Sequence, residues 1–122
     1  MRTVAFLGDK REAFCCPTCA LSAGDQMQEA VRFERLTDYE TERPLRSAGA
    51  YAVEGSDLVP CVGRRPVRDA EGEVVPRKFD RCTPSIIAFA SRSAAERFAS
   101  EHGGRVGTFL GVVSRPAAHS QP

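Results

Sequence analysis

Apolar and polar residues alternate from the first positions of the chain. Val4 to Leu7 is a short apolar run, Gly8-Asp9-Lys10 supplies turn chemistry, and Arg11 to Cys16 alternates again, a pattern that predicts a β-hairpin. Proline is tolerated at the first position of a helix, where its missing N–H would lack a partner in any case. Pro17 therefore predicts a helix from Pro17 to about Glu29, with Gly24 and Asp25 interrupting it. Val31-Arg32-Phe33-Glu34-Arg35-Leu36 repeats with period two, which predicts a strand with one apolar face. The turn-rich Asp38 to Pro44 leads to a further short strand at Ala50 to Val53.

Between Gly55 and Arg77 the alternation stops. Pro60, Pro66 and Pro76 punctuate a linker or long hairpin whose expected tip is Asp69-Ala70-Glu71-Gly72. Ile86 to Ala90 is an apolar run of strand length. Ser93-Ala94-Ala95-Glu96 reads as a capping box, in which the hydroxyl and the carboxylate each accept from a backbone N–H left over at a helix start. Ala95, Phe98, Ala99 and His102 recur at i, i+3, i+4 and i+7, and Gly103-Gly104 is expected to close this helix through a left-handed cap. Val106 to Val113 predicts a last strand, and residues 114–122 a flexible tail.

The order of elements suggests a duplication. Hairpin, helix and strand in residues 4–36 recur in residues 61–113, and each half carries a phenylalanine shortly before a cysteine, Phe14-Cys15-Cys16 and Phe79-Asp80-Arg81-Cys82. The expected architecture is α+β, two β-β-α-β units with small antiparallel sheets, forming a single domain over residues 1–113. Cys82 and the first cysteine cluster are expected in related places.

Composition narrows function more than fold. The chain has 122 residues, 17 of them basic and 16 acidic, with 42% in the hydrophobic set, which is enough for one domain with an ordinary core. A net charge of +1 without a basic run argues against nucleic acid or an anionic membrane as principal partner. No apolar run approaches the roughly 20 residues of a membrane span, and the apolar start at residues 1–7 is too short for a signal-peptide core. Membrane association is expected only through a leader that this chain does not carry. With Met1 as the native start the expected location is the cytoplasm; with a leader removed ahead of it, the cell envelope.

The candidate chemistry lies in the cysteines. Five of them in a chain without a secretory signal favour thiolate chemistry over a disulfide framework, and an odd number leaves one over in any intramolecular pairing. Cys16-Pro17-Thr18-Cys19 falls where strand hands over to helix, so both sulfurs can turn to one side near N–H groups and the positive helix end, which favour thiolate. Neighbouring strand residues point to opposite faces, so Cys15 is expected to face away from Cys16, in a supporting role at most. Cys61 and Cys82 stand beside Pro60 and Pro84 at the two ends of the proline-punctuated segment, which a hairpin would bring together.

A single buried cysteine is ordinarily a small hydrophobe of the core. Three within five residues are not explained that way. A zinc ribbon would need a second Cys-x-x-Cys, and the sequence has none. An all-sulfur site selects Cu(I) or Zn(II), and Cu(I) is satisfied with fewer ligands than structural zinc, which closes at four. Met27 reads as core rather than as a thioether ligand, and His102, on an apolar helix stripe, as a packed or capping residue. His119 lies in the tail. Asp80, two residues before Cys82, reads as a turn carboxylate or as a group that accepts a hydrogen bond behind the thiolates.

The stretch from Ile86 through Gly104 resembles the C-terminal signature of the NosL family, accessory proteins of nitrous oxide reductase maturation, in which an Ala-Phe strand, an Ala-Ala-Glu-x-Phe helix and a Gly-Gly stop recur. Leu36 to Thr41 and Ala50 to Ser56 are similar to further segments of that family. Phe14 through Leu21 resembles its Phe-Asp-Asp-x-x-Cys segment, with Cys19 on the cysteine and Cys15-Cys16 where the aspartates stand. The resemblance runs in order over residues 4–110. It implies an α+β domain of two β-β-α-β units, a fold shared with a domain of organomercurial lyase, and Cu(I) delivery to a copper enzyme. The chain departs from the family pattern in three places. The N-terminal Cys-Gly-Met motif has no counterpart, Cys82 stands near the place of a Met-Gly ahead of the Ala-Phe strand, and an insertion separates Asp57 from Cys82.

The resulting expectation is a non-catalytic domain that binds Cu(I), with Zn(II) as the alternative, through Cys16, Cys19, Cys61 and Cys82, and that serves a metal-accepting protein. The second reading is a thiol-disulfide oxidoreductase with Cys16 attacking and Cys19 resolving, although no thioredoxin-like β-α-β order surrounds the motif. The third is an interaction domain knotted by structural zinc or disulfides. An organomercurial-lyase-like activity rests on fold analogy alone.

Overall fold

The computed structural model describes residues 2–58 and 84–114. Its elements are β1 (Thr3–Leu7), β2 (Lys10–Phe14), α1 (Pro17–Met27), β3 (Val31–Thr37), β4 (Pro44–Arg46), β5 (Tyr51–Glu54), β6 (Ile86–Phe89), α2 (Arg92–His102), β7 (Arg105–Thr108) and α3 (Phe109–Ser114). They form two antiparallel sheets, one in the order β2-β1-β3-β4 and one in the order β6-β5-β7. In each sheet the first strand of a β-β-α-β unit lies between the second and the third. The α+β class with two small antiparallel sheets is therefore the observed one.

The second unit starts earlier than residue 61. Its first strand is β5, which pairs with β6 from Tyr51↔Phe89 to Glu54↔Ile86. The expected hairpin tip at 69–72 and the residues 115–122 of the expected tail lie outside the described residues. The short strand β4 is an addition. Its Pro44 sits at the outer edge of the sheet, where a missing N–H interrupts no ladder.

The second sheet is buried on both faces. Ala52, Ile86 and Ala88 join Ala5, Ala20, Phe33 and Leu36 of the first unit in one cluster, into which α3 inserts Phe109 and Val112. Phe33 and Phe109 meet edge to face at 4.9 Å between ring centroids. Val53, Ile87 and Phe89, on the opposite face, pack against Ala94, Ala95 and Phe98 of α2. Tyr39 closes this second cluster, 5.0 Å from the Phe98 ring, and its backbone N–H donates to Ala88 O at 2.9 Å. Burial on two sides is why Ile86 to Phe89 reads as an unbroken apolar run.

Local details depart from the sequence pattern for identifiable reasons. In β3, Phe33 and Leu36 are three residues apart and both buried, because a bulge at the Val4/Ala5 step lets Glu34 and Arg35 share one rung. The cap of α2 is Ser91 rather than Ser93: its hydroxyl accepts from Ala94 N–H at 3.2 Å, and Ser93 lies inside the helix. Gly103 has φ 76° and ψ −174°, so the helix stops on a positive φ without the left-handed cap. The last apolar run is no continuous strand. Thr108 ends β7, its hydroxyl accepts from Gly111 N–H at 3.1 Å, and Phe109 and Val112 bury one helical face of α3. Met27, at the end of α1, is 62% exposed and outside the core.

Gly24 does not interrupt α1. It lies within the helix, where a methyl group would collide with Val31 Cγ2 and stand 2.9 Å from the Glu29 carbonyl oxygen. Gly24→Ala should therefore destabilise the fold by about 1–3 kcal/mol despite alanine's better helix propensity. Urea unfolding followed by circular dichroism measures this, and unchanged stability would show that the helix and β3 are not in such close contact.

Candidate metal centre

The centre forms where β2 gives way to α1. Phe14 is the last residue of β2, opposite Thr3, and the chain then bends through Cys15 and Cys16. Cys16 is the N-cap of α1, still extended at φ −162° and ψ 165°, and Pro17 begins the helix. Cys19 then falls at the third helical position. N-cap and third position are the pair whose side chains meet in a capping box. Here both are cysteines, Cys16 makes no side-chain cap hydrogen bond, and the result is a sulfur pair rather than a cap.

Cys15 joins them. The three Sγ atoms of Cys15, Cys16 and Cys19 all lie within 4.8 Å of one another, and Cys15 Sγ is 2.9 Å from Cys19 Sγ. The expectation that Cys15 faces away from Cys16 is corrected. It applied strand alternation beyond Phe14, where the strand ends, and a bend can turn successive side chains to one side. The sulfurs differ in access: Cys15 is exposed, Cys19 half-buried, and Cys16 only 2% exposed.

The turn is braced from the second unit. Thr18, between the two helix cysteines and itself buried, donates its hydroxyl hydrogen to Pro84 O at 2.6 Å. Pro84 is two residues beyond Cys82 and two before β6. Cys61, Cys82, Asp80 and His119 lie outside the described residues. His102 is packed, as expected: its ring lies 4.5 Å from that of Phe98, and Nδ1 is 2.9 Å from Asp57 Oδ1. Among the described residues, the His, Cys, Asp and Glu side chains grouped closely enough to hold a metal ion are Cys15, Cys16 and Cys19.

Three sulfurs at these separations can converge on one soft cation. Around a tetrahedral zinc with Zn–S bonds of about 2.3 Å, sulfurs stand roughly 3.8 Å apart. That value lies between the 2.9 Å contact and the 4.8 Å limit of the cluster.

No family model matches the sequence, and no curated protein does. The fold has a solved counterpart. The copper chaperone NosL from Shewanella denitrificans matches with probability 1.00 and a TM-score of 0.52, over 89% of this chain and 76% of that one. Sequence identity is 17%, so the likeness is one of fold. It agrees with the two-unit α+β architecture.

The gradient of access should be readable chemically. In a Cys61→Ser/Cys82→Ser background, iodoacetamide should label Cys15 fastest and Cys16 slowest, with rates separated by on the order of tenfold or more. Peptide mass spectrometry over a time course follows the order. Equal rates at the three positions would contradict the burial of Cys16.

Proposed function

We propose that this protein is a Cu(I)-binding, chaperone-like domain that carries its ion on thiolates and serves a metal-accepting protein. The observation that carries this reading is the convergence of Cys15, Cys16 and Cys19 at one helix start. A soft all-sulfur set is a preferred environment of Cu(I), which two or three thiolates already satisfy. The likeness in fold to a protein titled a copper chaperone agrees with it.

The residues divide the work by access. Cys16 is the buried anchor, Cys19 the second ligand, and the exposed Cys15 the ligand that an incoming donor group can displace when the ion leaves. Cys82 is proposed as a further ligand, supported by the Thr18–Pro84 hydrogen bond, which fastens the chain two residues after Cys82 to the turn that holds the sulfurs. Cys61, at the other end of the same segment, completes the proposed set, and Asp80 is the proposed group that takes up a thiol proton when a sulfur binds. Binding requires deprotonated sulfurs, so uptake releases protons and weakens at acid pH.

Titration of reduced protein against a chromophoric Cu(I) competitor should give about one ion per chain. Cys16→Ser and Cys19→Ser should each lower affinity at least tenfold, and Cys82→Ser should do the same. Metal analysis of the protein as purified separates copper from a tightly held structural zinc. Unaltered Cu(I) affinity in a Cys15→Ser/Cys16→Ser/Cys19→Ser chain would end this reading.

The 2.9 Å contact between Cys15 and Cys19 favours a second reading, thiol-disulfide exchange, with the pair moved from Cys16–Cys19 to Cys15–Cys19. Exposed Cys15 thiolate would attack a substrate disulfide, and Cys19 would then displace the substrate as a dithiol, leaving a Cys15–Cys19 disulfide. A reversible two-electron couple that survives Cys16→Ser but vanishes in Cys15→Ser is the expected signature. A wild-type chain with no such couple leaves only metal binding.

A further inference from the structure

The outer face of the first sheet is strongly polarised. Thr3, Ala5 and Leu7 of β1 are buried, so Val4 and Phe6 point away from the core. Val4 is flanked by Ala13 and Arg35, Phe6 by Arg11 and Arg32, and Arg35 by Arg46. Arg2 precedes β1 on the same alternation. The face therefore carries five arginines, with Glu34 among them and Glu12 and Glu42 lining the hollow beside Arg2, Arg11 and Arg35, in a chain whose 17 basic and 16 acidic residues nearly cancel.

Glu34 is already engaged. Arg11 grips its carboxylate with Nε and Nη2, the closest contact being 2.7 Å, and these hydrogen bonds hold the Glu34 carboxyl below its ordinary range. Among the described residues, Arg2, Arg32, Arg35 and Arg46 stand in no ion pair. Arg35 and Arg46 are directly opposite each other across β3 and β4, a like-charge pairing that costs stability in an isolated sheet. Carboxylates bound between them would offset that cost, because the guanidinium fork matches a carboxylate bidentately.

We propose that this face docks a protein partner through a carboxylate-rich surface. A single strand of nucleic acid would want free aromatic rings to stack on, and the ring here, Phe6, is covered by the Arg32 guanidinium 4.4 Å from its centroid. The position is also informative. Arg2 adjoins Thr3, whose partner Phe14 immediately precedes the exposed Cys15, so the charged face lies at the end of the hairpin that leads into the metal centre. A partner held by these arginines is brought to Cys15. In this respect the inference rests on the Cu(I) reading, although the docking itself does not.

The test uses fluorescence anisotropy with a labelled oligoglutamate peptide, and with oligothymidylate and phosphatidylserine vesicles as competing probes. The wild-type chain should bind the peptide, more weakly as salt rises, and Arg35→Glu/Arg46→Glu should lose at least tenfold in affinity, whereas Arg92→Glu on α2 should not. Arg35→Gln/Arg46→Gln, checked by circular dichroism, replaces the charge reversal if that variant fails to fold. Undiminished peptide binding by the folded double variant would overturn the proposal, as would absence of peptide binding or tighter binding of either competing probe. Cu(I) uptake measured on the same proteins keeps the two readings apart. Normal uptake without peptide binding removes the docking face alone, and peptide binding without uptake removes the cargo alone.

Discussion

The change from extended chain to helix at a single residue, Cys16, organises the site. An N-cap normally carries an oxygen that accepts from a helix N–H. Here the position holds a sulfur that makes no such bond, and Pro17 removes one of the N–H groups that a cap would have to satisfy. With the first helical turn fixed by proline, the third position comes round to face the N-cap, and Cys19 stands there. The same bend releases Cys15 from the alternation of β2. Three sulfurs meet because the backbone turns sharply within five residues, with no contribution from a distant segment needed to bring these three together.

What keeps the turn in place is the other half of the molecule. The buried Thr18 hydroxyl is tied to Pro84 O, and Pro84 leads directly into β6, whose four residues are all buried. β6 is in turn clamped between the core of the first unit and α2. Loosening the second sheet would thus be felt at the cysteines, since the hydrogen bond that steadies α1 leads into its most deeply packed strand. This is a mechanical role for the second unit, and it does not depend on whether that unit contributes a ligand.

Much of this was legible in the sequence where local chemistry and tertiary packing agree. The β1–β2 hairpin, the proline-led α1, the strand β3 and the apolar β6 all stand where alternation, proline placement or an apolar run put them. Sequence and structure part where a local rule extends past its element. Strand alternation does not reach Cys15, because β2 ends at Phe14. The Val106 to Val113 run has the composition of one strand, but Thr108 caps a helix there and Phe109 and Val112 have the spacing of a helical face. Ser93-Ala94-Ala95-Glu96 has the spacing of a capping box, yet the chain enters the helix at Ser91, whose hydroxyl accepts from Ala94 N–H. The pairing of β5 with β6 is not legible locally, because a long segment containing Pro60, Pro66 and Pro76 separates the two strands in sequence.

Charge ties the candidate centre to the arginine face on the reading proposed above. Several thiolates around a monovalent ion leave a net negative complex, which a low-dielectric core would not accept without compensation. The centre is instead placed at a helix N-terminus, with the exposed Cys15 directly after Phe14, the partner of the residue that follows Arg2. Positive potential from the helix start and from the arginines beyond it offsets the negative charge of such a complex when the chain is alone. A carboxylate surface docked on those same arginines would neutralise part of that potential at the moment the partner arrives. The thiolates would then be less stabilised in the complex than in the isolated protein, so docking and weakening of the hold on the ion would be two effects of one change in the local field.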